Sequence, residues 1–313
     1  VSSGFDQNDL GFLQRTNYLS TSMYVDYNHR QPFGNFQWAG IGFYTFVSHR
    51  QAPFKFQATA FNIYGRMATK SFFAFGFGTF PQFVETNDFF EPRQNGRFLV
   101  IPKNISSFAW ISTDYRNKFA IDVNVDLGFH DQEGRRQYGL NISPRYRFND
   151  KLSFILSSGV NQNLHNIGWV NELDNEDIIM GERTILNVEN VIRANYVFNN
   201  KMGLSFRLRH NWTDVLYNDF HLLKLDGYLG ETTYTGFDDT NESLHNTNFN
   251  AFTIDMVYSW QFAPGSELTA VWKNAIFGFN REIEQGYYAN LGETLQGEQT
   301  NNFSIKVLYF VDY

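Results

Sequence analysis

The chain of 313 residues is 42% hydrophobic and 18% aromatic, with 34 Phe, 17 Tyr and 6 Trp, yet its mean hydropathy is −0.38. It has no cysteine, which excludes thiolate metal sites, disulfides and a cysteine nucleophile, and its formal charge of −7 argues against nucleic acid as a partner. No apolar run approaches the roughly 20 residues of a transmembrane helix. Alternating lipid-facing and lumen-facing residues reconcile the aromatic load with the polar mean, because averaging the two faces hides the apolar one.

Residues 1–15 show no sustained alternation and read as a loop. Strands are expected over 17–28, 36–49, 54–65 and 71–80. The last carries Phe73, Phe75 and Phe77 on one face and Gly76 and Gly78 on the other, where glycine makes room for neighbouring side chains. After a long connection, 81–104, comes a strand at 105–115 and then the clearest alternation in the chain. Phe119, Ile121, Val123, Val125, Leu127 and Phe129 interleave with Asp122, Asn124, Asp126 and Gly128. The pattern repeats where Tyr138, Leu140 and Ile142 oppose Asn141, Arg145 and Arg147, and where Leu152, Phe154 and Leu156 oppose Ser153 and Ser157. It returns in Val188 and Ile192 against Glu189 and Arg193, and in Leu204, Phe206 and Leu208 against Arg207 and Arg209. Ile254, Met256 and Tyr258 against Asp255, and Leu268 and Trp272 against Lys273, continue it. Residues 303–313 close the chain, with Phe303, Ile305, Val307, Tyr309, Val311 and Tyr313 opposite Ser304, Lys306 and Asp312. A final strand ending on an aromatic is how the closing strand of an outer-membrane barrel ends at the lipid–water boundary.

Short turns are expected near 32–34, 66–69, 116–117, 149–150, 199–200 and 263–265. Long links are expected at 81–104, 164–183, 213–248 and 280–301, with brief ones at 50–53 and 131–134. Short turns at one end and long loops at the other are the periplasmic and extracellular ends of such a barrel, with the C-terminus periplasmic. The expected fold is therefore all-β, an antiparallel transmembrane outer-membrane β-barrel of a Gram-negative bacterium, with about 13–14 strands in this chain. The strands at 17–28 and 303–313 run in the same direction, so antiparallel closure requires a further strand. The chain accordingly reads as one barrel domain over 1–313, the C-terminal part of a larger barrel.

Three stretches carry a family resemblance. Asn8-Asp9-Leu10-Gly11-Phe12-Leu13 with Arg15, Asp88-Phe89-Phe90-Glu91-Pro92-Arg93 followed by Gly96-Arg97, and Trp260-Gln261-Phe262-Ala263-Pro264-Gly265-Ser266-Glu267-Leu268 are the segments concerned. They resemble the C-terminal region of a Bacteroidota-type outer-membrane family of unknown function. Longer members of that family carry an N-terminal domain resembling family 9 carbohydrate-binding modules. The resemblance implies upstream strands and a periplasmic domain, and it transfers no reaction and no catalytic residue.

The pore-lining candidates are Asp122, Asp126, Arg145, Arg147, Glu189, Arg193, Arg207, Arg209, Asp255, Lys273 and Lys306. They serve either to select or bind an anionic solute or, with more weight, as an interior salt-bridge network. Tyr258, Trp260, Trp272, Tyr309 and Tyr313 are the lipid-boundary aromatics, whereas Trp110 and Trp212 are candidates for stacking on sugars. The acidic runs at 174–177 and 238–242 lack the spacing and glycine of a calcium loop, so no metal or other cofactor is expected. No nucleophile elbow or His-Glu-x-x-His occurs, and an enzyme is not expected. A barrel-rim hydrolase, with His165, His221 or His245 joining an acid, ranks third. A pore or uptake component for a glycan- or peptide-derived solute ranks first. A scaffold subunit among other outer-membrane or periplasmic proteins ranks second. Outer-membrane lipid is the expected surrounding partner.

Overall fold

The computed structural model describes residues 16–283 and 286–311. The expected loop at 1–15, together with Asp312 and Tyr313, lies outside the described residues. In chain order the elements are β1 (Tyr18–His29), β2 (Phe36–Arg50), β3 (Lys55–Thr69), β4 (Ala74–Gln82), β5 (Thr86–Asp88), β6 (Leu99–Ile101), β7 (Asn104–Ser112) and β8 (Phe119–His130). There follow β9 (Arg136–Arg147), β10 (Leu152–Glu172), β11 (Ile178–Asn199), β12 (Met202–Leu223), β13 (Leu229–Gly230), β14 (Thr247–Ala263), β15 (Ser266–Asn280), α1 (Tyr287–Thr294) and β16 (Gln299–Leu308). The large sheet runs β1-β2-β3-β4-β7-β8-β9-β10-β11-β12-β14-β15-β16, with β13 beside β12 and a separate two-stranded sheet of β5 and β6. Every neighbouring pair is antiparallel. Among the described residues the sheet is open: β1 and β16 are its edges and run in the same direction, so the expected closure is not made within these strands.

Register keeps each face continuous across the sheet. One row runs Tyr27, Ile41, Gly65, Phe77, Ala109, Val125, Leu140, Val160 and Val188, and the residues between these positions form the polar face. On β10 burial is inverted relative to a soluble sheet. Along β10, Phe154, Leu156 and Val160 are 38%, 40% and 41% exposed, while Ser153 and Ser157 are half-buried and Gly159 is buried. Side chains on a concave face shield one another and those on a convex face splay apart, so the polar face is the inner one.

The connection 83–103 demonstrates the curl. Gln94 donates from Nε2 to Glu172 of β10 at 3.3 Å, and the adjacent Asn95 accepts from Arg50 of β2 at 2.9 Å. Six steps of sheet order separate β2 from β10, about 29 Å if the strands lay flat. The long-loop ends therefore bend towards one another over this segment. Leu99 is buried there with Ile167, Ile178, Met180 and Leu223.

Several expected boundaries move. β10, β11 and β12 continue through what the alternation assigns to loops, because bulges at 163–166, 169–171 and 182–183 shift the two-residue period. β3 extends to Thr69, which moves the next turn to 70–73 and puts Phe73 in the turn. The last strand is Gln299–Leu308 rather than 303–313. It starts early because Asn301 pairs opposite Asn274, and it stops where the Phe310 amide donates to Ser266 Oγ at 3.0 Å. The link 280–301 holds the helix α1. Tyr287, Asn290 and Thr294 fall on one stripe of that helix, a polar stripe invisible to a search for apolar periodicity.

Candidate functional site

Register places all of the pore-lining candidates on the inner, polar face. Asp122 stands opposite Ser143, and Arg145 opposite Ala120 and Ile155. Arg193 faces Arg207, Arg207 faces Asp255, Asp255 faces Lys273, and Lys306 faces Thr269. Part of this wall is a structural network. Arg145 pairs with Asp122 at 3.3 Å and lies 3.8 Å over the Tyr115 ring, and Ser112 donates to the same carboxylate at 2.7 Å. Arg66 pairs with Asp26 at 3.1 Å. Lys273 pairs with Asp255 at 3.7 Å. Arg147 makes no ion pair with a described residue and donates to the Arg116 carbonyl at 2.7 Å. Asp126 lies opposite Phe108 and Gly139, away from both arginines.

Arg193, Arg207 and Arg209 differ from the other inner-face arginines. Each is half-buried, and none makes an ion pair or hydrogen bond with another described residue. The Nε atoms of Arg207 and Arg209 are buried without a partner. Beside them, towards the long-loop end, lies a polar cavity of about 530 Å³ walled by Asn141, Asn161, Asn163, Asn187, Glu189 and Asn211. Side-chain amides present both donors and acceptors, so this wall suits a hydroxylated solute.

On β3, β4 and β7 the inner face is aromatic, with each ring seated over a glycine of the adjacent strand. Tyr64 covers Gly42, Trp110 covers Gly76 and Phe108 covers Gly78, so tightly that a Cβ at any of the three would stand 2.2–2.5 Å from ring atoms. The sequence-level expectation that Gly76 and Gly78 make room holds. Trp110 therefore faces inward, as stacking on a sugar would require, whereas Trp212 is buried and donates to Asn248 at 3.1 Å.

Tyr258, Trp260 and Trp272 lie on the outer face, with Trp272 stacked on Phe303 at 6.1 Å. Tyr309 lies past the strand end and stacks on Phe262 at 6.3 Å. His210 is on that outer face but buried. α1 covers it, with His210 bonded to Tyr287 and Asn250, and Asn290 bonded to Asn248 and Asn250.

At the long-loop rim, His165 Nδ1 and Glu182 are 2.6 Å apart, and His221 lies 3.9 Å from the same carboxylate. Spacing along the chain does not reveal this meeting, because a bulge in β10 puts His165 at a positive φ of 51°. No serine or threonine hydroxyl bonds either ring among the described residues, and no His, Asp and Glu group there is arranged to hold a metal ion. His245 meets the Tyr234 hydroxyl; burial, then Arg281, holds its pKa below the ordinary 6.5. No helix of the described residues is long and apolar enough to cross a membrane.

A family model described as a domain of unknown function, DUF5916, matches residues 1–313. The chain belongs to the DUF5916 family. No curated protein matches it. The family description assigns no activity, so any functional reading starts from the inner wall and the two rims.

Proposed function

We propose that this DUF5916 chain forms the wall of an outer-membrane β-barrel in a Gram-negative, Bacteroidota-type bacterium and conducts or helps import a polar solute, glycan- or peptide-derived. The observation that carries the reading is the exposed apolar face: on β10 Phe154, Leu156 and Val160, 38%, 40% and 41% exposed, alternate with half-buried Ser153 and Ser157 and buried Gly159, and Phe303, Ile305 and Val307 of β16 are exposed on the same outer face. In water such a surface would drive aggregation, whereas in a bilayer it is the lipid-facing surface. An edge with unpaired backbone groups is costly in lipid, and two edges that run the same way join antiparallel only through an odd number of further strands. Upstream strands, as in longer members of the family resembled, fit that need. The short turns then lie in the periplasm and the long loops outside the cell.

A scaffold role within a larger outer-membrane assembly is the second reading. It is favoured by Phe83, Leu225, Tyr228 and Phe237, exposed by 65%, 83%, 46% and 50% on the long loops. Full-length protein reconstituted into planar bilayers is expected to give stepwise conductance. Inserted protein that stays electrically silent would exclude the pore and leave the scaffold.

A further inference from the structure

We propose that Arg193, Arg207 and Arg209 form an inner-wall site for an oxyanion, a phosphate or carboxylate group carried by a polar solute. Arg193 and Arg207 face each other directly on β11 and β12, and Arg209 is one row further along β12, opposite Val191 and Thr253. Like charges directly opposite one another destabilise a sheet unless a counter-charge lies between them. Among the described residues no carboxylate lies within 4 Å of either guanidinium. Asp255, opposite Arg207, is held by Lys273 at 3.7 Å, and Glu189 lies in the row of Asn211 without an ion pair.

The contrast with Arg66 and Arg145 is decisive. On the same face, each of those has a carboxylate partner, at 3.1 and 3.3 Å, and an aromatic ring beneath its guanidinium. Among the described residues Arg193, Arg207 and Arg209 have neither; the Nε of Arg207 and of Arg209 is buried without a partner, as is that of Arg145, but only Arg145 has a carboxylate on its other nitrogens. A planar guanidinium fork matches an oxyanion in a bidentate manner, and several around one anion satisfy those donors. The amide-lined cavity in the next rows, with Asn187 and Asn211, would hydrogen-bond the rest of the solute. This site names a solute class for the pore reading and rests on that reading for passage of the solute, but binding itself requires no conduction.

The test uses full-length protein in detergent micelles, titrated with inorganic phosphate and, separately, acetate, against sodium chloride of equal ionic strength. Saturable phosphate binding by calorimetry is expected, weakened at least tenfold in R207Q/R209Q and unchanged in R116Q, which removes a turn arginine paired with Asp114. Acetate in place of phosphate as the tighter ligand would assign the site to carboxylated solutes. If the double variant does not fold, R193Q supplies the same comparison. Wild-type protein that prefers neither anion to chloride overturns the proposal, as does binding that survives in the folded variants. Phosphate binding by protein silent in bilayers would keep the site and remove the pore; conductance without binding would do the reverse.

Discussion

Arg193 and Arg207 stand directly opposite each other on the inner face of β11 and β12, and neither has a carboxylate partner among the described residues. Two guanidinium groups in that arrangement repel by about 0.2–1 kcal/mol, and salt screens the repulsion. R193Q is therefore expected to raise the urea midpoint of the refolded protein in low-salt buffer without added anions. The gain should shrink towards zero at about 1 M salt, where the screening length falls to about 3 Å. A midpoint lowered by the substitution would mean that Arg193 has a stabilising partner.

Leu156 is 40% exposed on the outer face. In water, arginine at such a position is nearly neutral, whereas near the bilayer midplane it costs about 2–4 kcal/mol. L156R should lower the folding free energy in phospholipid vesicles by that amount, measured by urea titration of tryptophan fluorescence. An unchanged value would remove lipid from this face.

Gly76 lies beneath the Trp110 indole, and a Cβ there would come within 2.5 Å of the indole nitrogen and 2.9 Å of the Gly65 carbonyl oxygen. G76A should cost about 1–3 kcal/mol as the ring is displaced from the wall. At Gly203 the nearest atom to such a Cβ is 3.8 Å away, so G203A is expected to stay within about 0.5 kcal/mol of the parent. Equal losses in the two variants would show that ring seating is not the cause.

Asn290 bridges Asn248 and Asn250 from α1, and all three are buried. N290A leaves the buried Asn248 Nδ2 without its acceptor and removes one partner from each amide atom of Asn250, at a cost of about 1–3 kcal/mol, and should release α1 from the sheet. Amide hydrogen exchange over 287–294 is expected to accelerate in N290A while exchange in β8 and β9 stays slow. Unchanged protection of α1 would mean that Tyr287 and Thr294 hold it alone.

His245 packs with Tyr217, Phe220 and Tyr234 in the long-loop rim. Burial and the nearby Arg281 lower its pKa from 6.5, so the folded rim binds fewer protons there than the unfolded loop. The resulting stability is fully present above pH 6.5 and is lost as pH falls towards the lowered folded pKa. Proteolysis within 224–246 should be faster at pH 5 than at pH 7.5, and H245Q should flatten that difference. A wild-type rate independent of pH would exclude the histidine as its cause.

The strands of β8 and β9 were legible from alternation alone, because every other side chain meets a different environment and the period of two survives in the sequence. The same alternation assigned Asp122, Arg193 and Arg207 to one face, since a strand's two faces are fixed by parity. Bulges erase that parity, which is why the upper halves of β10, β11 and β12 and the meeting of His165 with Glu182 were not legible. The polar stripe of α1 carries no hydrophobic period, so the covering of His210 was hidden as well.

What the sequence by itself determined is an all-β, antiparallel sheet with one apolar and one polar face, and which of the two faces each charged strand residue occupies. Only the tertiary structure decided which charges on that wall are paired. Parity selects a face but not a neighbour, and the register between strands, set by turn lengths and bulges, brought Asp122 to Arg145 and left Arg193 facing Arg207.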